Sequence, residues 1–283
     1  MISMRINNNI GALNTQKQLG INNNAVANKL EKLSSGKRVN RSSDDAAGLA
    51  ISEKMRTQIL GTLAASRNTQ DAVSLIQVAE GGLQGIHNML QRARELAVQS
   101  ANGTNQDKVD REALQGEFKN IVNEIDDTAD KTDFNGMKVL DGSNGPIPIQ
   151  AGPNSDDVTN LEIGPMNAAQ LLGFADQQYN ESTDVNVASQ ADASAAIDTV
   201  SSAINDVSMQ RAELGAMQNR LEFRMQALDI QAENVTAAES RIRDADMAKM
   251  MTELTTKNIL QKASTAMLAQ ANARPQGILN MLN

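Results

Sequence analysis

The chain has 283 residues and an ordinary hydrophobic share of 40%, yet aromatics make up only 2%, with one Tyr and no Trp. Its formal charge is −8, with the two signs interspersed and no basic stripe, which argues against nucleic-acid binding. No run of about 18 apolar residues is present to span a membrane, and the absence of Cys removes disulfides and thiolate chemistry. Without aromatic bulk, Ala, Leu, Ile, Val and 14 Met must fill the interior, which suits helices with closely spaced axes. The first residues also lack the apolar stretch and small-residue cleavage site of a secretory signal peptide.

The chain opens with two apolar groups at helical spacing. Ile6, Ile10 and Leu13 share one face, and Val26, Leu30 and Leu33 share another. At about 100° per residue the two groups point roughly opposite ways, with Gly20 between them and Asn7, Asn8, Asn9, Asn22, Asn23 and Asn24 filling much of the rest. Such a helix either bends near Gly20 or is surrounded on several sides. Residues 34–45 are rich in Ser, Gly, Asn and charge and predict a helix break, read either as a plain connector or as a structured spoke between two helical layers. Ser42, Ser43 or Asp44 is placed to cap the helix that follows.

From Ile51 to Ala97 a seam alternates steps of three and four residues, running through Met55, Ala65, Ala72, Ile76, Leu83 and Leu90, with Gln58, Thr62 and Thr69 as its polar members. This is the heptad pattern of a coiled-coil face. Gly81, Gly82 and Gly85 weaken the helix but do not shift its phase, so one long helix is expected. A turn at 102–105 leads to a second helix with Leu114, Phe118, Ile121 and Ile125 as its seam. Asn135-Gly136 predicts a hairpin turn. Met137–Leu140, Ile147–Gln150 and Val158–Ile163 are the plausible strands, kept to a small edge-type sheet by Pro and Gly. Ala168–Leu172 suits a short helical turn, and Gln177–Gln190 reads as a loop.

A third long helix is expected over 191–242, with a seam from Ile197 to Val235 interrupted by Arg211 and Gln218. The C-terminal segment repeats the difficulty of the N-terminal one. Met247, Met250, Met251 and Leu254 mark one stripe, and Leu260, Ala263, Met267, Leu268 and Ala271 mark another. Ile278, Leu279, Met281 and Leu282 stay apolar almost to the last residue. Chain ends are usually frayed and polar. Two apolar ends call for each other and for further copies of the molecule. The expected fold is mainly α: an elongated antiparallel helical bundle or coiled coil with paired N- and C-terminal helices and a small β-hairpin region.

Catalytic chemistry finds little support. The single histidine, His87, sits beside seam residue Ile86 without a His-Glu-x-x-His pattern, a nucleophile elbow or a Gly-rich oxyanion loop. Gly81-Gly82-Leu83-Gln84-Gly85 follows a helix and lacks the Gly-Lys-Ser/Thr ending of a phosphate loop. Asp44-Asp45 and Asp126-Asp127 read as solvated helix-end acids rather than calcium ligands. No enzyme, cofactor or metal is expected.

Several motifs together resemble bacterial flagellin. Arg5-Ile6-Asn7 with Ala12-Leu13-Asn14 is similar to the family's start, and Leu33-Ser34-Ser35-Gly36-Lys37-Arg38-Val39-Asn40 with 44–52 to its best-known motif. Residues 91–100, Phe134-Asn135-Gly136, 237–248, and Gln270-Ala271-Asn272 with Arg274-Pro275 complete the set, so that the likeness covers about 1–140 and 190–283. The resemblance implies a structural subunit that self-assembles into the flagellar filament after export, unfolded, through the flagellar type III apparatus to the outside of the cell. It implies three regions: 1–33 with 247–283 as inner core helices, 34–140 with 190–246 as an outer helical rod, and 141–189 as a short variable region without large outer domains.

The resemblance also implies partners. Neighbouring subunits would pack on Ile6, Ile10, Leu13, Val26, Leu30, Leu33, Met250, Leu254, Leu260, Met267, Leu268, Ile278, Leu279 and Leu282. A secretion chaperone would wrap the C-terminal helix at Leu260, Met267, Leu268, Ile278 and Leu282. A host Toll-like receptor would touch Arg92, Leu96 and Glu117, and filament cap and hook-junction proteins would meet the filament's ends. No membrane or nucleic-acid partner is implied. Two other readings compete. A hook–filament junction protein has similar ends, but the matches at 44–52 and 239–248 favour flagellin. A chemoreceptor-type signalling rod uses similar seams, but would have near-symmetric arms and no Pro-rich sheet.

Overall fold

A computed structural model describes residues 9–104, 109–173 and 185–282, with backbone only for 275–282. Six helices and two short β-ladders follow one another: α1 (Ile10–Ser35), α2 (Ala46–Ser100), α3 (Asp110–Lys131), β1 (Asp133–Phe134), β2 (Met137–Lys138), β3 (Ile147–Gln150), β4 (Val158–Leu161), α4 (Ala168–Leu172), α5 (Gln190–Arg243) and α6 (Met247–Leu282). The mainly α expectation holds. The chain divides into a terminal unit, Met1–Ile59 with Glu233–Asn283, and a central unit, Leu60–Ala232.

The central unit is a helical bundle. Within it α2 and α5 run antiparallel: Arg94 Nε donates to Ser201 Oγ at 3.1 Å, Arg211 Nη2 to Glu80 Oε1 at 3.0 Å, and Ser66 Oγ to Asp229 Oδ1 at 3.1 Å. The α2 seam is buried from Thr62 through Ala65, Thr69, Ala72, Ile76, Ala79, Leu83, Ile86, Leu90, Ala93 and Ala97. The facing residues on α5 include Ala193, Ala196, Val200, Ala203, Val207, Leu214 and Leu221. Alanine at so many core positions lets helix axes approach closely, which compensates for the missing aromatics. Ile51 departs from the expected seam: it is exposed, and Ser52 is buried beside it with its hydroxyl donating to Leu49 O at 2.9 Å.

α3 lies antiparallel to α2, linked by Arg92–Glu117 near one end and by the approach of Thr132 to Gly82 near the other. Its buried residues are Arg111, Gln115, Phe118, Val122, Ile125 and Ala129, so the expected Leu114 and Ile121 are only half-buried flanks. Polar members hide that phase. Arg111 lays its stem inward while its guanidinium donates to Ser100 O (2.9 Å) and Asn102 O (3.1 Å), and Gln115 accepts from Val187 N at 2.6 Å.

Asn135 (φ 53°) and Gly136 (φ 79°) both take left-handed backbone, as the primed hairpin turn between β1 and β2 requires. β3 and β4 pair antiparallel, Ile147 with Leu161 and Gln150 with Val158, so β4 stops short of the expected Ile163. α4 appears where a short turn was expected, capped by Asn167 Oδ1 and closed by left-handed Gly173. The expected loop over 177–190 lies largely outside the described residues. Its last part holds Val187 N–H on Gln115 and its carbonyl under Ser100 Oγ, and α5 starts at Gln190.

Two neighbouring glycines on α2 give opposite expectations. A Cβ at Gly82 would stand 2.7 Å from Cδ1 of buried Leu140 and 2.8 Å from Thr132 Oγ1, whereas one at Gly81 would meet nothing within 4 Å. Gly81→Ala is therefore expected to stabilise the bundle by about 0.5–1 kcal/mol through helix propensity. Gly82→Ala is expected to destabilise it by about 1–3 kcal/mol through overpacking. Denaturant midpoints of the two variants read the sign directly.

Candidate functional site

In the terminal unit α1 and α6 pack on each other as an antiparallel pair. Four polar contacts set the register: Asn9 Nδ2 to Ala271 O (2.8 Å), Asn22 Nδ2 to Ser264 Oγ (3.0 Å), Gln261 Nε2 to Asn23 Oδ1 (2.8 Å), and the Lys29–Glu253 ion pair. The half-buried residues of α1 trace a three-four seam: Ala12, Thr15, Leu19, Asn22, Val26, Lys29 and Leu33. The matching seam on α6 is Met250, Leu254, Lys257, Gln261, Ser264, Leu268 and Ala271. Of the expected packing residues, Val26, Leu33, Met250, Leu254 and Leu268 thus serve this internal contact.

The other apolar residues face away from it. α1 runs unbroken through Gly20, so no helix break relieves its two stripes. No described residue of α1 is fully buried. Ile10, Leu13 (61% exposed), Ile21 and Leu30 remain open. On α6, helical geometry places open Met251 on one flank of the seam, Leu260 and Met267 on the other, and Ile259 (62% exposed) on the back. Ile6 lies outside the described residues. Ile278, Leu279 and Leu282 belong to the helical backbone of α6, and their side chains lie outside the description. Composition alone did not single out Ile21 and Ile259, although both sit a few residues from the stripes that it did.

The segment between α1 and α2 is structured. Gly36 ends α1 in left-handed conformation (φ 69°), Arg38 N donates to Arg243 O at 2.7 Å, and Ala245 N donates to Gly36 O at 2.9 Å. Val39 is buried, and Arg243 reaches Glu53 Oε1 at 2.6 Å. The α2 cap is Asp45, whose Oδ1 accepts from Gly48 N at 2.8 Å, not Ser42, Ser43 or Asp44. Asp44 instead pairs with Lys32 Nζ at 2.8 Å and accepts from the backbone of Arg41 and Asn40.

The Lys32 hydrogen bond, then the Arg41 N–H, hold the Asp44 carboxyl below its usual pKa. The folded carboxylate binds its proton less tightly than the unfolded one, so its contribution is full above about pH 4 and lost as pH falls through the depressed folded value. Asp44→Asn is expected to lower the melting temperature of the terminal unit at neutral pH. It is also expected to flatten that acid-side loss in a series of melts below pH 4.

In the central unit Arg92 donates through Nε and Nη2 to Glu117 Oε1 (3.0 and 2.7 Å) and through Nη1 to Glu95 Oε2 (3.1 Å), all on the exposed surface. Leu96 does not join them: it is fully buried in the bundle core, so it offers no receptor a contact. His87 is half-buried, with Nε2 2.9 Å from Gln91 Nε2. Asp126 accepts from Ala168 N, and Asp127 pairs with Lys131. Among the described residues no cluster of three metal-ligating side chains forms, and no helix is long and apolar enough to cross a membrane.

Models of the bacterial flagellin N-terminal and C-terminal helical regions match residues 6–145 and 197–282. A flagellin of Halalkalibacterium halodurans is 49% identical over 280 residues, covering 99% of this chain and 100% of its own. A flagellin of Bacillus subtilis is 48% identical over 304 residues, with the same coverage of the two chains. Among solved structures, a Vibrio parahaemolyticus chain described as a flagellar hook-associated protein has a TM-score of 0.57 at 15% identity, covering 71% of this chain and 100% of its own, a likeness of fold alone. With near-half identity along almost its whole length to flagellins, and both helical regions matched, this chain belongs to the bacterial flagellin family and is a structural filament subunit, not an enzyme.

Proposed function

We propose that this flagellin assembles by burying the outward faces of α1 and α6, as the filament's inner core, against the same faces of neighbouring copies. The observation that carries this reading is that Ile10, Leu13, Ile21 and Leu30 on α1 and Met251, Ile259, Leu260 and Met267 on α6 stay open after the two helices have packed on each other. Large apolar side chains left open in this number around one helix pair mark protein contacts. Contacts between different patches on successive copies do not close, and so build an open helical array. Electron microscopy of the purified chain under polymerising conditions is expected to show long helical filaments. Short caps or isolated subunits would overturn the reading.

The other partners follow from the same surfaces. Before assembly an export chaperone covers α6 by helix-in-groove recognition at Leu260, Met267, Leu268, Ile278 and Leu282. Cap and hook-junction proteins meet the faces that the last copies leave open at the filament's ends, outside the cell. A host Toll-like receptor contacts the exposed pair Arg92 and Glu117, with Leu96 no longer part of that surface. Removal of residues 254–283 abolishes chaperone pull-down, and Arg92→Ala with Glu117→Ala lowers receptor signalling. Retained capture or unchanged signalling removes the respective partner.

A further inference from the structure

Three Asn-Gly pairs stand in the chain: Asn102-Gly103, Asn135-Gly136 and Asn144-Gly145. Such a pair can close on itself, because glycine has no side chain to shield its nitrogen from the carboxamide before it. The structure sets the first pair apart. It lies exposed in the turn that follows α2, and Thr104 N donates to Asn102 Oδ1 at 3.3 Å. Arg111, only 4% exposed, donates from Nη2 to the main-chain oxygen of Asn102 at 3.1 Å and from Nε to Ser100 O at 2.9 Å. Both carbonyl groups of Asn102 thus carry a hydrogen-bond donor, one of them a buried cation. Asn135 is instead held in left-handed backbone (φ 53°) between paired strands, and Asn144 ties its amide nitrogen to Lys138 O.

We propose that Asn102 and Gly103 form a self-modifying site that converts Asn102 to isoaspartate, with the Thr104 N–H and the Arg111 guanidinium as its activating donors. Hydroxide takes the proton of Gly103 N, and that nitrogen attacks Asn102 Cγ. The new N–C bond closes a five-membered imide as the Cγ–Nδ2 bond breaks. The departing nitrogen takes a proton from water and leaves as ammonia. During the attack negative charge builds on Oδ1, on which Thr104 N–H already donates. Water then opens the ring. Attack at Cγ would give an ordinary Asp linkage. Attack at the former main-chain carbonyl carbon breaks its bond to Gly103 N, which takes a proton, and leaves a free carboxylate there. Arg111 selects this second route, because the charge builds on the oxygen that it already holds. The chain then runs through Cβ and Cγ, and a charge-assisted hydrogen bond to the buried guanidinium replaces a bond to a neutral carbonyl. In balance one water is consumed and one ammonia released, with no change of oxidation state. The modified fraction therefore rises with the age of a chain.

The test ages the purified full chain at mildly alkaline pH and maps Asp and isoaspartate at the three pairs by mass spectrometry with electron-transfer fragmentation. Conversion at Asn102 is expected to run about 5-fold or more faster than at Asn135 or Asn144. The ratio of isoaspartate to Asp at Asn102 should exceed that at the two reference sites by about 10-fold. Gly103→Ala shields the nitrogen with a Cβ that meets Gln190 Nε2 at 3.9 Å, an ordinary contact, so the bundle should melt as before. Conversion at Asn102 should then fall by about 10-fold or more. Arg111→Met keeps the apolar stem and removes the guanidinium, and should bring the product ratio at Asn102 down to that of the reference sites. Where that variant does not fold, the comparison of the three pairs within the wild-type chain still decides. Equal rates at the three pairs, an equal product ratio, unchanged conversion in Gly103→Ala, or an unchanged ratio in folded Arg111→Met would each overturn the proposal.

Discussion

Leu13→Asp combined with Ile259→Asp is expected to abolish filament growth while the subunit stays folded. Both residues are more than half exposed, on the sides of α1 and α6 turned away from their mutual seam. In the free subunit they touch little, so each exchange should cost less than about 0.5 kcal/mol of stability. In the filament both positions are proposed to lie in apolar contacts. Each exchange there forfeits about 1.5–3 kcal/mol of apolar burial and sets a carboxylate where nothing pairs it, a further cost of several kcal/mol. A combined penalty of about 4 kcal/mol per copy already raises the growth concentration roughly 10³-fold. Light scattering and electron microscopy read assembly, and circular-dichroism melts confirm that the helices remain. Filaments growing at the wild-type rate would sink the assembly reading. By the same argument, deleting Met1–Leu33 or Met247–Asn283 removes no residue of the core between Leu60 and Ala232, and should leave that bundle folded but unable to polymerise.

This inverted use of apolar residues explains what the sequence did and did not reveal. The seams of α2 and α5 were largely legible because each long helix repeats its apolar period over many turns against partners within the same chain, although on α5 Ile197 and Ile204 are half-buried flanks and Ala196, Ala203 and Gln210 are buried instead. The observed limits, Ala46–Ser100 and Gln190–Arg243, bracket the expected seams closely. The pairing of α1 with α6 was expected from their apolar stripes, but its seam was only partly legible from apolar spacing. Its seam includes Thr15, Asn22 and Lys29 on one side and Lys257, Gln261 and Ser264 on the other. A subunit that keeps apolar side chains for other copies leaves polar ones for its own pairing, so local pattern and final burial disagree at the functional surface. Asn22–Ser264 and Asn23–Gln261 supply register instead of area.

Leu96 shows a second limit. Its motif was recognised, but a motif does not say which face turns inward. α2 has both α3 and α5 beside it in the central unit, and a helix with two neighbours buries a broad arc. Leu75 and Leu96 widen that arc beyond the single seam through Ile76 and Ala97. The α2 cap was missed for a simpler reason. Ser42, Ser43, Asp44 and Asp45 are all competent caps in a row, and the pull of Lys32 on Asp44 leaves Asp45 for the task.

The phase of α3 yields the other large effect, because two adjacent β-branched residues are expected to behave unlike each other. Val122 is fully buried and Ile121 is a half-buried flank. By apolar spacing Ile121 belongs to the seam, but the described packing turns Val122 inward between Phe118 and Ile125. Val122→Asp would bury a carboxyl group among apolar side chains with no partner, at a cost above about 4 kcal/mol. Ile121→Asp can turn its carboxylate to water and should cost about 1–2 kcal/mol. Phe118→Ala sets a scale for the same core: it removes the largest fully buried side chain among the described residues and should cost about 3–5 kcal/mol. For a domain of this size each kcal/mol lowers the melting temperature by about 2–4 °C. Val122→Asp should therefore fall by about 8 °C or more, Phe118→Ala by about 6–20 °C and Ile121→Asp by about 2–8 °C. Melts that drop equally for Ile121→Asp and Val122→Asp would show that α3 does not present Arg111, Gln115, Phe118, Val122, Ile125 and Ala129 to the bundle.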